Sequence, residues 1–211
     1  MTDLIVNLAP TGITATRATG PNVPLAPSEV VTDVLACADI GITSVHLHAR
    51  DESGRPTWHP GPYAEMIAGI RAARPDLVIG VSCSGREFGE FEQRSAVLDL
   101  TGDLKPDMAS LTLSSLNFAR GASVNAPDMV RRLAEKMRDC GIRPELEAFD
   151  LGMVNDAKYL IEREVLEPRT PSTCSSATSL APRSTSSTWP QWLPLCPPTP
   201  AGAAAGSAPG S

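Results

Sequence analysis

The sequence lacks the features that mark membrane, secreted and nucleic-acid-binding proteins. No stretch approaches the ~20 consecutive apolar residues of a membrane span, and the start has neither a basic segment nor the apolar run of a secretory signal. The cysteines are odd in number and have no CxxC spacing, so we expect no disulfide framework and a reducing compartment. We therefore expect a cytoplasmic protein with no membrane partner.

Charge is distributed very unevenly along the chain. The first 167 residues contain all 24 Asp and Glu residues and all but two of the 18 Lys and Arg residues, which leaves this part with a net charge of −8. Such an acidic balance disfavours nucleic acid or an anionic membrane as a partner. Residues 168–211 are instead rich in Ser, Thr, Pro, Ala and Gly, a composition that cannot bury enough apolar surface to fold. The sequence thus predicts a domain over 1–167 and a low-complexity, disordered tail over 168–211.

Short apolar runs alternate with stretches of helical period throughout the first 167 residues. Successive runs begin at the spacing of one βαβ unit, which is about 30 residues or more. We expect five strand–helix units, with Ser28 capping the first helix. The predicted strands are 4–8, 45–49, 77–82, 108–113 and 144–149, and the predicted helices are 28–41, 63–70, 90–100, 127–141 and 155–165.

Polar residues gather at the carboxyl ends of the second to fifth predicted strands. A ring of strands converging on one centre would bring such residues together, as in a (β/α)8 TIM barrel, whose active sites lie on that face. A doubly wound sheet could also hold five units, but no GxGxxG follows the first strand and Thr11-Gly12 alone is a weak phosphate signal. We therefore predict an α/β fold, an incomplete (β/α)8 TIM barrel of about five βα units.

The segment Val45-His46-Leu47-His48-Ala49-Arg50-Asp51 places two imidazoles at the end of a predicted strand. Side chains alternate along a strand, so His46 and His48 share one face and could bind one divalent metal. The spacing is equally compatible with hydrogen-bonded histidines at the rim of a core. A catalytic zinc usually has three protein ligands, so a third must come from elsewhere in the chain.

Four motifs together resemble the beta-keto acid cleavage enzymes. They are His46-Leu47-His48-Ala49-Arg50-Asp51 with Gly54-Arg55-Pro56, Ser82-Cys83-Ser84-Gly85-Arg86, Met108 to Leu113 with Asn117-Phe118, and Pro144 to Met153. The resemblance covers about residues 3–168 and implies a zinc-dependent (β/α)8 enzyme, usually a homotetramer. Such an enzyme condenses a beta-keto acid with acetyl-CoA to give acetoacetate and a new CoA ester.

Individual residues take roles from this resemblance. His46 and His48 match the two zinc histidines, and Glu147 matches an active-site carboxylate, with Glu145 on the same strand face as the alternative. Ser82, Ser84 and Thr112 match positions that hold the substrate carboxylate. Turn or cap roles are the alternative for the serines.

The tail departs from the family. The family places a third zinc ligand, a glutamate, there, together with an arginine and an aspartate used in the mechanism, and none of these is present in this sequence. Serine codons TCN read one base earlier supply NTC, which encodes Phe, Leu, Ile or Val, so a Ser-rich tail can be an apolar strand in another frame. We therefore expect residues after about Pro168 to be out of frame and the chain as written to be inactive. The alternatives are a non-catalytic remnant and another metal-dependent barrel enzyme, an aldolase or hydrolase.

Overall fold

The five predicted strand–helix units are present in the computed structural model, which describes residues 5–118 and 121–167. Two short 3-10 helices, at Ala96–Asp99 and Gly102–Leu104, lie between the third α-helix and the fourth strand. The predictions for residues 168–211 lie outside the described residues. The strands are β1 (Asn7–Leu8), β2 (Ser44–Leu47), β3 (Val78–Val81), β4 (Met108–Thr112), β5 (Leu116–Phe118), β6 (Gly121–Ser123) and β7 (Arg143–Glu147), and the helices are α1 (Pro27–Ala38), α2 (Pro60–Ala73), α3 (Phe91–Ser95), α4 (Pro127–Asp139) and α5 (Leu151–Glu162).

Five of the strands form one parallel sheet in the order β1-β2-β3-β4-β7. Each strand pairs with the next sheet strand along the chain, so the order never reverses. The register places His46 opposite Gly80 and Thr112 opposite Glu147. The carboxyl ends of all five strands therefore meet at one edge, where the polar residues of the sequence motifs collect.

The two faces of this sheet differ in polarity. One face packs against the helices with fully buried apolar side chains, among them Leu47, Ile79 and Leu111, which are 0 % exposed. The opposite face has buried polar side chains, including Ser110 and Glu145. The buried polar face of this sheet is therefore stabilised by hydrogen bonds between its side chains rather than by apolar packing.

Helix α1 packs closely against α2. A Cβ on Gly69 would lie 2.8 Å from Val31 Cγ2, so the absence of a side chain at position 69 permits this approach. The predicted Ser28 cap is wrong, because the N-cap residue is Ala26 and Ser28 lies inside the helix. At this end of the helix the Glu29 carboxylate accepts the backbone N–H groups of Leu25 and Ala26, at 2.9 and 3.0 Å.

Several other elements differ from the sequence prediction. Helix α3 is only Phe91–Ser95 and continues as a 3-10 helix. Helix α5 begins at Leu151, four residues before the predicted start, because the Asp150 side chain accepts the Met153 N–H at 2.9 Å and caps it. The antiparallel pair of β5 and β6, which follows β4 along the chain, was not predicted at all. Among the described residues, no helix combines the length and the apolar character that crossing a membrane requires.

Candidate active site

His46 and His48 lie side by side at the carboxyl end of β2. Their ring centroids are 4.9 Å apart and the ring planes are tilted by 48°. His46 is 8 % exposed, while His48 is partly buried and lines a cavity at the sheet edge. The strand alternation predicted from the sequence therefore places both imidazoles on the polar face, as expected.

A carboxylate from the far end of the sheet holds His46. Glu145 Oε2, on β7, lies 2.7 Å from His46 Nδ1, and both side chains are buried. Asn7 donates its side-chain N–H to Glu145 Oε1 at 3.4 Å, and Ser44 donates its hydroxyl to Asn7 Oδ1 at 2.9 Å. This chain of hydrogen bonds runs across the polar face from β1 and β2 to β7.

The contact between Glu145 and His46 lies beside Gly80, on β3. A Cβ at position 80 would lie 3.5 Å from Glu145 Oε2 and 3.9 Å from His46 Nδ1. Gly80 therefore leaves the space through which the two side chains, which come from strands on either side of it, reach each other. The network also assigns the tautomer: a neutral His46 donates from Nδ1 to the carboxylate, and Nε2 keeps its lone pair.

The pKa values of the two histidines are shifted in opposite directions. Burial pushes the pKa of His46 down, but its hydrogen bond to Glu145 and the charges of Glu145 and Glu147 outweigh that effect and leave the pKa raised. Burial lowers the pKa of His48 well below its usual value, and the charges of His46, Arg50 and Arg86 add to this. His48 is therefore a neutral imidazole with a lone pair available for a ligand.

The donor set suits two ligands of a divalent metal. A metal-bound histidine usually gives its second ring N–H to a carboxylate or carbonyl, and Glu145 supplies such a partner to His46. His48 contributes a second neutral imidazole beside it. Within residues 5–118 and 121–167, however, no group of three His, Cys, Asp or Glu side chains is arranged to hold a metal. The described residues thus fit two positions of a zinc site and supply no third.

The predicted substrate residues line the same cavity as His48. This cavity has a volume of ≈ 250 Å³ and lies at the carboxyl ends of the parallel strands. Thr112 donates its hydroxyl to Glu147 Oε2 at 2.5 Å, which orients that carboxylate. Ser84 N–H contacts Ser82 Oγ at 3.3 Å in the turn after β3. The residues around the cavity are Gly12, Ile13, Thr14, His48, Ser82, Ser84, Arg86, Thr112, Leu116, Phe118, Ser123, Glu147 and Phe149.

Glu145 and Glu147, which the sequence could not separate, occupy different environments. Glu145 lies opposite Ser110, is 5 % exposed and does not line the cavity. Glu147 lies opposite Thr112, one layer nearer the sheet edge, and lines the cavity. Glu145 therefore interacts with His46, whereas Glu147 is placed to contact a ligand in the cavity.

Arg94, a residue that the sequence analysis passed over, holds the turn after β3 in place. Its guanidinium is 3 % exposed and donates to Cys83 O at 2.9 Å and to Asn125 Oδ1 at 2.8 Å. A Cβ on Gly85 would lie 2.7 Å from Arg94 Nη1, so glycine is needed where the guanidinium crosses the turn. The sequence signal was an arginine on the otherwise apolar side of a short helix, which is uncommon unless the charge is paired.

Arg50, in the histidine motif, anchors the loop that follows β1. It donates from Nη2 to Gly12 O and from Nη1 to Gly54 O, both at 2.9 Å. These bonds bring Gly12, Ile13 and Thr14 to the mouth of the cavity. Arg50 therefore acts as a structural tie between two loops, a role that the motif alone did not indicate.

Arg86 is a second residue that sequence reasoning missed as part of the site. Its guanidinium carbon lies 3.3 Å from the centre of the Phe118 ring, on β5. Burial lowers the pKa of Arg86, and the charges of Glu147 and Glu87 oppose that effect. Because β5 was not predicted, nothing in the sequence placed Phe118 beside Arg86.

Comparison with known proteins identifies the family. The beta-keto acid cleavage enzyme profile matches residues 3–185. The chain is 39% identical over 153 residues to a 3-oxoadipate:acetyl-CoA acetyltransferase of Cupriavidus necator, covering 72% of this chain and 52% of that protein. It is 32% identical over 164 residues to a 3-keto-5-aminohexanoate cleavage enzyme of Acetoanaerobium sticklandii, covering 77% of this chain and 59% of that protein.

A solved structure supports the fold independently. The apo structure of ObcA superposes with a TM-score of 0.63 at 24% identity, covering 69% of this chain and 34% of ObcA. The chain thus spans between half and three fifths of the two curated relatives named above. The profile match over most of the chain confirms the resemblance drawn from the four motifs, and the chain belongs to the beta-keto acid cleavage enzyme family.

Proposed function

We propose that this chain carries part of the active site of a zinc-dependent enzyme that condenses a beta-keto acid with acetyl-CoA, giving acetoacetate and a new CoA ester. The observation that supports this most is the His46–Glu145 pair beside His48, next to a cavity lined by Ser82, Thr112 and Glu147. The names of both curated relatives describe related chemistry, acetyl transfer involving 3-oxoadipate and acetyl-CoA in one and cleavage of a keto acid in the other.

In this proposal each predicted site residue has a role. His46 Nε2 and His48 would hold the zinc, which supplies Lewis acidity toward the keto oxygen when it is bound. The hydroxyls of Ser82 and Ser84 donate hydrogen bonds to the substrate carboxylate, as the neutral donors of an anion site can, while Thr112 lines the same cavity and gives its single O–H to Glu147. Glu147, oriented by Thr112, accepts or returns a proton at the cavity.

We also propose that the sheet is part of a (β/α)8 barrel. The strand order without reversal supports a ring, because a doubly wound sheet reverses its order at a switch point. The buried polar face would then be the barrel interior. A homotetramer in the cytoplasm belongs to the same proposal and rests on the family resemblance.

Residues after about Pro168 are, in this proposal, read out of frame. The reading is supported by the loss of acidic residues and the enrichment in Ser and Pro beyond Glu167. It predicts that the chain as written lacks acetyl-CoA-dependent cleavage activity, because two histidines without a third ligand hold zinc loosely.

The experiment compares acetoacetate formation by the 211-residue chain and by a version with the reading frame restored. Fresh beta-keto acids and acetyl-CoA are supplied, and bound zinc is measured in parallel. We expect activity and stoichiometric zinc only in the frame-restored protein. Replacing His46 and His48 together with Ala should remove the zinc, while the same change at exposed His59, the third histidine, should not.

Two results would contradict this proposal. Activity in the 211-residue chain would refute the out-of-frame reading. A frame-restored protein that folds, binds zinc and remains inert across the acids would point instead to another metal-dependent barrel reaction, an aldolase or hydrolase. Zinc retained by the His46→Ala/His48→Ala variant would refute the ligand assignment.

A further inference from the structure

We infer that Arg86 selects a beta-keto acid with a second anionic group, a beta-keto dicarboxylate, by binding the carboxylate at the end remote from the keto acid. The inference rests on the proposed function, because it takes the cavity at the strand ends as the substrate site. It goes beyond that function by naming the substrate's charge and the residue that reads it.

The first observation is that Arg86 lines the cavity with unused hydrogen-bonding capacity. Arg86 follows the Ser82–Gly85 turn directly and borders the cavity that Ser82, Ser84 and Glu147 also border. Its Nε is buried, and among the described residues it has no hydrogen-bond partner. A buried donor of this kind is uncommon in folded proteins unless a ligand or water completes it.

Two buried arginines near the turn use their guanidinium groups differently from Arg86, which is partly buried. Arg94 uses its guanidinium to bind Cys83 O and Asn125 Oδ1. Arg50 uses both terminal nitrogens to bind Gly12 O and Gly54 O, and only its Nε, like that of Arg86, is buried without a partner among the described residues. Within the described residues Arg86 alone of the three donates no side-chain hydrogen bond, so its role is not to tie loops together.

The orientation of Arg86 suits a carboxylate. Its guanidinium carbon lies 3.3 Å from the centre of the Phe118 ring, a separation that stacks the planar group on the aromatic face. Stacking occupies the face of the guanidinium and leaves its edge, which carries the N–H groups. Two parallel N–H donors at such an edge match the two oxygens of a carboxylate.

The guanidinium of Arg86 is not neutralised by an ion pair within the described residues, so it is available to an anionic ligand. Glu147 lines the same cavity and its charge acts on Arg86, but its carboxylate accepts from Thr112, and no ion pair joins it to Arg86 in the described part of the chain. The carboxylate common to all beta-keto acids has the hydroxyls of Ser82 and Ser84, which line the cavity, as donors. The guanidinium is therefore not needed to bind that carboxylate and can bind a second one.

The test uses three six-carbon beta-keto acids that differ only in the remote group: 3-oxoadipate, 3-oxohexanoate and 5-amino-3-oxohexanoate. Their dissociation constants are measured by calorimetry without acetyl-CoA, so that no turnover occurs, on the 211-residue chain and the frame-restored protein. Arg86→Met removes the charge and keeps apolar bulk over Phe118. Arg86→Lys keeps the charge, and Arg131→Met removes an exposed charge on α4 as the matched control.

We expect 3-oxoadipate to bind best. Arg86→Met should weaken the binding of 3-oxoadipate about 10- to 100-fold, because the substitution removes a charge-assisted hydrogen bond. Binding of 3-oxohexanoate should stay within about twofold, the usual limit for a substitution that removes no contact. Arg86→Lys should recover part of the loss, and Arg131→Met should change neither acid. Circular dichroism and thermal unfolding check that each variant remains folded.

Each other outcome overturns the inference in a distinct way. Equal weakening of both acids by Arg86→Met would assign Arg86 to the shared carboxylate. Unchanged keto-acid binding with weakened acetyl-CoA binding, measured separately, would assign it to a CoA phosphate. If the folded, frame-restored wild type bound neither acid, the proposed function would fail first, and Arg86 would have no substrate to select.

Discussion

Replacing Arg94 with Met tests whether one buried guanidinium holds the turn that shapes the cavity. Arg94 is 3 % exposed, and its two short hydrogen bonds go to acceptors on Cys83 and Asn125, which are 2 % and 3 % exposed. Water cannot replace these bonds without opening the structure. A third contact, to Val124 O at 3.5 Å, is too long to contribute much.

The expected loss follows from these contacts. Hydrogen bonds that involve a charged group contribute about 1.5–3 kcal/mol each, so the two short bonds together represent roughly 3–6 kcal/mol. Met also relieves the cost of burying the charge, which offsets part of this sum. We expect the free energy of unfolding to fall by about 2–4 kcal/mol, a large change for a single substitution.

The assay is urea unfolding followed by far-ultraviolet circular dichroism on the 211-residue chain. Arg131→Met serves as the control, because its side chain is 57% exposed and should change stability by less than about 0.5 kcal/mol. A double-mutant cycle with Asn125→Ala isolates the Arg94–Asn125 bond, and we expect a coupling of about 1–2 kcal/mol. An Arg94→Met chain as stable as the Arg131→Met control would refute the argument that this network stabilises the turn.

Three further predictions concern the site and its surroundings. In the frame-restored protein, Glu145→Gln should weaken zinc binding about 10- to 100-fold, because Glu145 orients His46. Glu147→Gln should instead lower kcat and leave the zinc affinity unchanged. The reverse pattern would mean that the roles of the two carboxylates have been exchanged. Burial raises the pKa of the Cys83 thiol to about 12, whereas an unfolded cysteine ionises near ~8.5. The native state therefore keeps a proton that the unfolded state loses, so stability should decrease as pH rises above ~8.5 toward 12 and should lose this pH dependence in Cys83→Ala. Iodoacetamide at pH ~9 should label Cys37 and Cys140, which are partly exposed, far faster than Cys83, as peptide mass spectrometry would show; equal labelling rates would contradict the burial argument.

Much of the site was predictable because its signals are local. Side chains alternate along any extended strand, so the two-residue spacing of His46 and His48 was enough to assign them to one face. Small and polar residues after each apolar run marked the strand ends, and the parallel sheet brings those ends to one edge. The misplaced Ser28 cap shows the limit of such signals, since the helix begins earlier, at Pro27, and Glu29 accepts the N–H groups of Leu25 and Ala26 before it.

The sequence by itself determined the succession of five strand–helix units and the set of polar residues at their ends, because periodicity and turn composition act over a few residues. Tertiary structure alone decided which of Glu145 and Glu147 serves the histidine, since both share a strand face and differ only in depth. That depth follows from the register of β7 on β4 and from Gly80, and it brings Glu145 to His46 across 99 positions of the chain. It likewise decided that Arg94 ties a turn while Arg86 stacks on Phe118 and keeps its donors, because an arginine's role depends on the acceptors that distant segments bring to it.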